Sequence, residues 1–123
     1  MISRMKRKTI RNHKDFFVSP DNPRTITDFF IIKAKTAKIP DKPRYGLIAS
    51  KRSFKLAVQR NRAKRLMRDW ICANEDLMVD TMDYIFILRG GILNANREDG
   101  RIRTQVALTK ISKAYKKNAK NQA

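Results

Sequence analysis

RYGLIASKRSFKLAVQRNRAKRLMRDWICAN, residues 44–74, changes its period part-way along. Arg44 to Ser50 is a short run of aromatic, β-branched and small residues and reads as a strand. From Leu56 to Asn74 the apolar residues Ala63, Leu66, Met67, Trp70 and Ile71 recur at helical spacing and make one stripe. Arg60, Arg62, Lys64, Arg65 and Arg68 fill much of the remaining surface. A strand thus feeds an amphipathic helix whose polar face is almost entirely cationic.

The neighbouring segments extend this pattern in both directions. Downstream, Asp76 to Asp83 is an acidic connector, Tyr84 to Arg89 is a continuous apolar strand, and Gly90-Gly91 ends it. Arg101 to Lys117 reads as a second helix with Thr104, Leu108, Ile111 and Tyr115 on one face. Upstream, the loop Ala37 to Pro43 separates the strand at residue 44 from another at Asp28 to Thr36, and the two are expected to pair antiparallel. Ser19-Pro20-Asp21-Asn22-Pro23 is a breaker, with a short helix expected around Lys14 to Val18. The chain divides into a basic flexible arm (1–14), one domain (15–117) and a frayed tail (118–123). The fold class is α+β, a small mixed sheet with packed helices. Phe29, Leu47, Trp70, Ile85, Ile87 and Leu108 are the expected core.

Charge narrows the function. Twenty-nine Lys and Arg stand against eleven Asp and Glu, a net charge of +18 in 123 residues. Such a field captures polyanions. No apolar run reaches the length that crosses a bilayer, and the N-terminal MISRMKRKTIRNHK is charged without an apolar stretch behind it. These features point away from a membrane and towards a cytoplasmic partner. The single cysteine, Cys72, excludes an internal disulfide and fits a reducing compartment.

Enzyme chemistry finds little support. His13 is the only histidine and lies in the charged arm, beside Asp15 alone. Cys72 sits on the helix that carries the apolar stripe and reads as a packing residue. No Cys/His cluster has metal-ligand spacing, and Gly90-Gly91 lacks the remaining residues of a phosphate loop. Glu75, Asp76, Asp80 and Asp83 read as a solvated acidic loop. No catalytic residue, protein metal site or small-molecule cofactor is expected.

The basic cluster is specific. From Lys42 to Arg68 there is no acid. Lys51, Arg52, Arg60, Asn61, Arg62, Lys64, Arg65 and Arg68 are therefore candidate RNA contacts, because a solvated helix face normally carries acids at i±4. Strands flank this helix, which argues against a helix-turn-helix reader of DNA. A small sheet beside a basic helix suits single-stranded RNA, with bases lying on apolar side chains. On the first strand, Phe29, Ile31 and Lys33 alternate with Phe30, Ile32 and Ala34. One set packs under the helices and the other lines a groove.

KRSFKLAVQRNRAKRLMRD resembles the signature of the bacterial ribonuclease P protein family: a Lys-Lys/Arg pair, an Ala, Arg-Asn-Arg, Lys-Arg and Arg-Glu. Lys51-Arg52, Ala57, Arg60-Asn61-Arg62, Lys64-Arg65 and Arg68-Asp69 match it, with Asp in place of Glu. RYGLIAS, MDYIFILRGG and the pair Asp15-Phe16 are similar to flanking family segments. The resemblance implies a left-handed βαβ crossover, the opposite of the usual hand. It implies an RNA subunit that hydrolyses precursor tRNA with Mg²⁺ bound mainly by the RNA. The protein's partners would be that ribonuclease P RNA and precursor tRNA. It implies that the Arg-Asn-Arg helix docks on the catalytic RNA. It further implies that the single-stranded 5′ leader lies in a groove lined by Phe16, Phe17, Phe30 and Ile32. Two features depart from the family. Ser19 to Pro23 cuts the N-terminal helix short without its closing Gly, and a second aromatic on that helix has no clear match. The alternative is a structural ribosomal RNA-binding protein without a part in turnover.

Overall fold

Residues 82–88 occupy the centre of the sheet because their apolar side chains suit both faces. The computed structural model describes residues 7–39 and 42–121, with side chains described as far as residue 114. Five strands, β1 (Lys8–Thr9), β2 (Arg24–Ile26), β3 (Phe30–Thr36), β4 (Arg44–Ile48) and β5 (Met82–Leu88), lie in the order β1-β4-β5-β3-β2. β5 pairs antiparallel with β3 and parallel with β4. The expected β3–β4 hairpin is therefore absent. β5 lies between those strands, because a strand apolar on both alternating sets is the one best buried from both edges.

Helix α1 (Ala57–Ala73) connects β4 to β5, as a parallel pair requires. Helix α2 (Arg97–Asn121) starts four residues before the expected Arg101. Asn96 caps it: its Oδ1 accepts the Glu98 N–H at 2.8 Å. The helix continues through residues 118–121 of the expected tail. The Tyr115 side chain and residues 122–123 lie outside the described residues.

One sheet face carries Phe30, Ile32, Ala34, Tyr45, Met82, Tyr84, Phe86 and Leu88. With Met67, Trp70 and Ile71 of α1 and Leu108 and Ile111 of α2 it forms the core. Phe30 and Phe86 meet edge-on at 6.0 Å between ring centroids. The buried Tyr84 hydroxyl accepts the Val79 N–H at 2.9 Å and pairs with Ser112 Oγ at 3.0 Å, so its polar end is satisfied. Of the expected core, Trp70, Ile85 and Leu108 are buried, while Phe29, Leu47 and Ile87 are half-buried.

Residues 7–14 do not behave as an arm. β1 pairs parallel with β4, and Ile10 is buried. The Arg7 guanidinium reaches inside, donates to the Met82 and Val79 carbonyls and sits 5.3 Å from the Tyr84 ring centroid. Burial lowers the Arg7 pKa, against the pull of Tyr84 and of Asp80. Residues 1–6 of the expected arm lie outside the described residues.

Candidate nucleic-acid interface

Helix α1 buries Ala63, Met67, Trp70 and Ile71 and turns Asn61, Arg62, Arg65 and Arg68 to solvent. None of the ion pairs among the described residues involves α1. Its first turn holds no acid, so the positive end of the helix dipole stands among Lys51, Arg52 and Lys55, all exposed. Each like-charged i,i+3 or i,i+4 pair, such as Arg62 with Arg65 or Lys64 with Arg68, costs about 0.2–0.5 kcal/mol. A bound polyanion reverses that sign.

Arg60 differs from its neighbours. It is half-buried and donates to the Phe54 carbonyl at 2.8 Å, bracing the loop that enters α1. Gln59 Oε1 accepts the Leu56 N–H at 3.2 Å at the same turn. Lys64 is half-buried as well.

The opposite face of the sheet is open. Arg24, Lys33, Ile85 and Gly46 form one cross-strand row, and Ile26, Ile31, Ile87 and Ile48 form the next. The segment 18–22 overhangs this floor, enclosing with Arg24 and Lys33 a concavity of about 320 Å³. Cations beside aliphatic side chains offer phosphate contacts and a surface for unstacked bases together.

Phe16 stands over this face, half-buried: a Cβ built at Gly46 would lie 2.4 Å from its Cε1. Phe17 is 72% exposed at the rim. Phe30 and Ile32, expected in the groove, are instead fully buried beneath the helices. Strand alternation separates the two sets, and the groove floor takes Ile31 and Lys33. Finding these and Arg24 required the strand register.

Asp15 carries the fixed end of this wall. Its carboxylate accepts from Lys38 Nζ and from Arg44 Nη1, each at 3.0 Å. The Lys38 hydrogen bond, then that of Arg44, holds the Asp15 carboxyl below the usual carboxylate range. Burial works against the Arg44 cation, but Asp15 and Asp83 outweigh it and raise its pKa. A lowered carboxyl contributes stability above its ordinary pKa and loses it as pH falls through the lowered value. The Asp15 carboxyl signal is therefore expected to keep its ionised shift until the pH has fallen below the ordinary carboxylate range. A transition of that carboxyl signal within or above the ordinary range in NMR spectra would contradict this pairing.

Other chemistry is sparse. His13 is exposed at the start of the turn His13–Phe16, and Cys72 is half-buried on α1. Among the described residues no group of three or more His, Cys, Asp or Glu is placed to hold a metal ion. Among them, too, no helix is long and apolar enough to cross a membrane.

Comparison with known proteins separates an RNA-processing partner from a general polyanion binder. Residues 3–112 match the family model described as ribonuclease P. The chain belongs to the ribonuclease P protein family. It is 40% identical over 92 residues to the ribonuclease P protein component of Pseudomonas putida KT2440, spanning 74% of this chain and 67% of that protein. The fold is that of the ribonuclease P protein from Thermotoga maritima, with a TM-score of 0.70 at 18% identity, covering 85% of this chain and 97% of that one. The Staphylococcus aureus ribonuclease P protein gives 0.65 at 23%, covering 89% and 95%. The ribonuclease P match takes in both surfaces described above, from Phe16 to Lys33 and the whole of α1. In the shortened N-terminal segment, the Asn22 N–H donates to the Ser19 carbonyl at 3.0 Å, closing the turn that overhangs the floor.

Proposed function

We propose that this chain is the protein component of ribonuclease P in a bacterial cytoplasm, acting with the catalytic RNA in 5′ maturation of precursor tRNA. Asn61, Arg62, Arg65 and Arg68, with Lys51 and Arg52, contact the RNA subunit. Phe16, Ile31, Lys33 and Arg24 receive the single-stranded 5′ leader. Lys64 and the free donors of Arg60 support the first surface, and Phe17 the rim of the second. The observation that carries the reading is the pair of cationic surfaces on opposite sides of one small domain: α1 outward, and the open face of the sheet.

The mechanism follows from that placement. Two polyanions repel one another, and a cationic body between them lowers the cost of their approach. Each phosphate neutralised releases counterions, so affinity is gained without any reacting group on the protein. Mg²⁺ supplies the metal chemistry of hydrolysis and is held by the RNA. Among its described carboxylates, Asp15, Asp83, Glu98 and Asp28 are committed to Lys38, Arg44, Arg101 and Arg103, and Glu75 and Asp76 lie in the acidic turn.

Cleavage of a precursor tRNA by a bacterial ribonuclease P RNA at low Mg²⁺, with and without this chain, tests the reading. The RNA alone is expected to be nearly inactive and the mixture active. Cleavage by the polypeptide alone, or no effect on the RNA, would overturn it. Recovery from cells only with ribosomal RNA would favour a structural ribosomal role instead.

A further inference from the structure

We infer that Arg44 and Asp83 are positioning residues for the leader. They fix Asp15, and Asp15 fixes the Phe16 ring over Gly46. This rests on the reading of the open sheet face as the leader surface. Asp83 of β5 is fully buried, and its Oδ1 accepts the Arg44 N–H at 2.7 Å. Its Oδ2 accepts from Arg44 Nη2 at 3.3 Å and from the Lys38 N–H at 3.4 Å. Arg44 then spans from the sheet interior to Asp15. Lys35 adds two bonds from Nζ, to the Asp15 carbonyl and to the Phe17 carbonyl at 2.9 Å.

The reason for such an anchor lies in what the turn lacks. His13–Phe16 is four residues long, and its only buried residue is Asp15. Phe16 is half-buried and Phe17 is exposed, so apolar burial holds the wall only in part. A chain of alternating charge, Lys38–Asp15–Arg44–Asp83, replaces it. Its inner end is a carboxylate without solvent, where breaking the pair leaves an uncompensated charge. Lys33, one row away from this network, remains uncommitted to any ion pair among the described residues and free for phosphate.

The test uses the assembled ribonucleoprotein and two precursor tRNAs, one with a truncated leader and one with a full leader. Wild-type protein is expected to give a lower KM for the full leader. Equal values would overturn the leader reading and this inference with it. Asp15→Asn and Asp83→Asn are expected to remove most of that advantage, about tenfold if one base–aromatic stack is lost. Gly46→Ala displaces the ring without touching the ion network and is expected to do the same. The deciding measurement is a double-mutant cycle. Asp15→Asn added to Phe16→Ala is expected to raise the full-leader KM no further than Phe16→Ala alone. Multiplying effects, or an intact leader advantage in Asp15→Asn, would overturn the inference. If Asp83→Asn fails to fold by circular dichroism, Asp15→Asn, at the outer end of the ion chain, and the cycle still decide.

Discussion

Combined Arg62→Ala, Arg65→Ala and Arg68→Ala substitutions are expected to weaken binding to a ribonuclease P RNA about 100-fold near 0.15 M salt. All three side chains are exposed and make no ion pair among the described residues, so nothing inside the domain competes for them. A phosphate contact contributes roughly 0.7–0.9 to the slope of log affinity against log salt. Near 0.15 M that is about a factor of five per contact, and three contacts multiply to about 100. The salt dependence is expected to flatten by roughly two units in parallel. Thermal stability is expected to hold or rise slightly, because the buried face of α1 is untouched and like-charge repulsion is relieved. Arg60→Ala is a poorer probe, since it also frees the Phe54 carbonyl and loosens the helix start. Affinity within twofold of wild type, in a filter-binding titration at that salt, would refute the assignment of α1 to the RNA subunit.

The two surfaces were unequally legible in sequence. The α1 set declares itself locally: an apolar stripe at helical spacing fixes the orientation, and the absence of acids from Lys42 to Arg68 leaves the cations without internal partners. The observed bounds, Ala57–Ala73, fall one residue inside the expected ends. The open sheet face depends on long-range register. Alternation in β3 separates Phe30 from Ile31, but which set faces the helices is settled by β5 and the core. Both sets carry a phenylalanine; the set ending in Ala34 went inside and the set ending in the charged Lys33 stayed out, which is why Phe30 and Ile32 lie beneath the helices.

The same limit hid the short strands. β1 and β2 span two and three residues, too few for a period, and exist because β4 and β3 offer open edges. Arg7 and Arg44 look like surface charges in sequence. Only the fold shows that one is held inside by carbonyls and a ring and the other by two carboxylates. Sequence charge counts therefore overstate the cations available to RNA.

Replacing Gly100 of α2 by Ala is expected to destabilise the domain by about 2–3 kcal/mol, the upper part of the range for overpacked cores. Helix propensity predicts the reverse, a gain of up to about 1 kcal/mol for Gly→Ala inside a helix. Packing decides the sign. A Cβ at Gly100 would lie 2.0 Å from Trp70 Cζ2 and 2.2 Å from Cε2, closer than any real contact. The indole has little room to move: Trp70 is 3% exposed, and Phe29 lies against it at 6.0 Å between centroids. Phe29 is itself covered by the Arg103 guanidinium at 4.9 Å, and Arg103 pairs with Asp28. Relief must come from α2 sliding away from α1. That would also strain the Thr104 hydroxyl, which donates to the Gly100 carbonyl at 2.7 Å, and the Asn74 amide, which donates to the Arg101 carbonyl. At roughly 4–6 °C per kcal/mol for a domain of this size, the melting temperature is expected to fall by about 8–18 °C. RNA affinity of the folded fraction is expected to fall less than in the α1 triple variant, because Arg62, Arg65 and Arg68 stay in place. An unchanged or raised melting temperature would mean that α2 does not seat its glycine on Trp70.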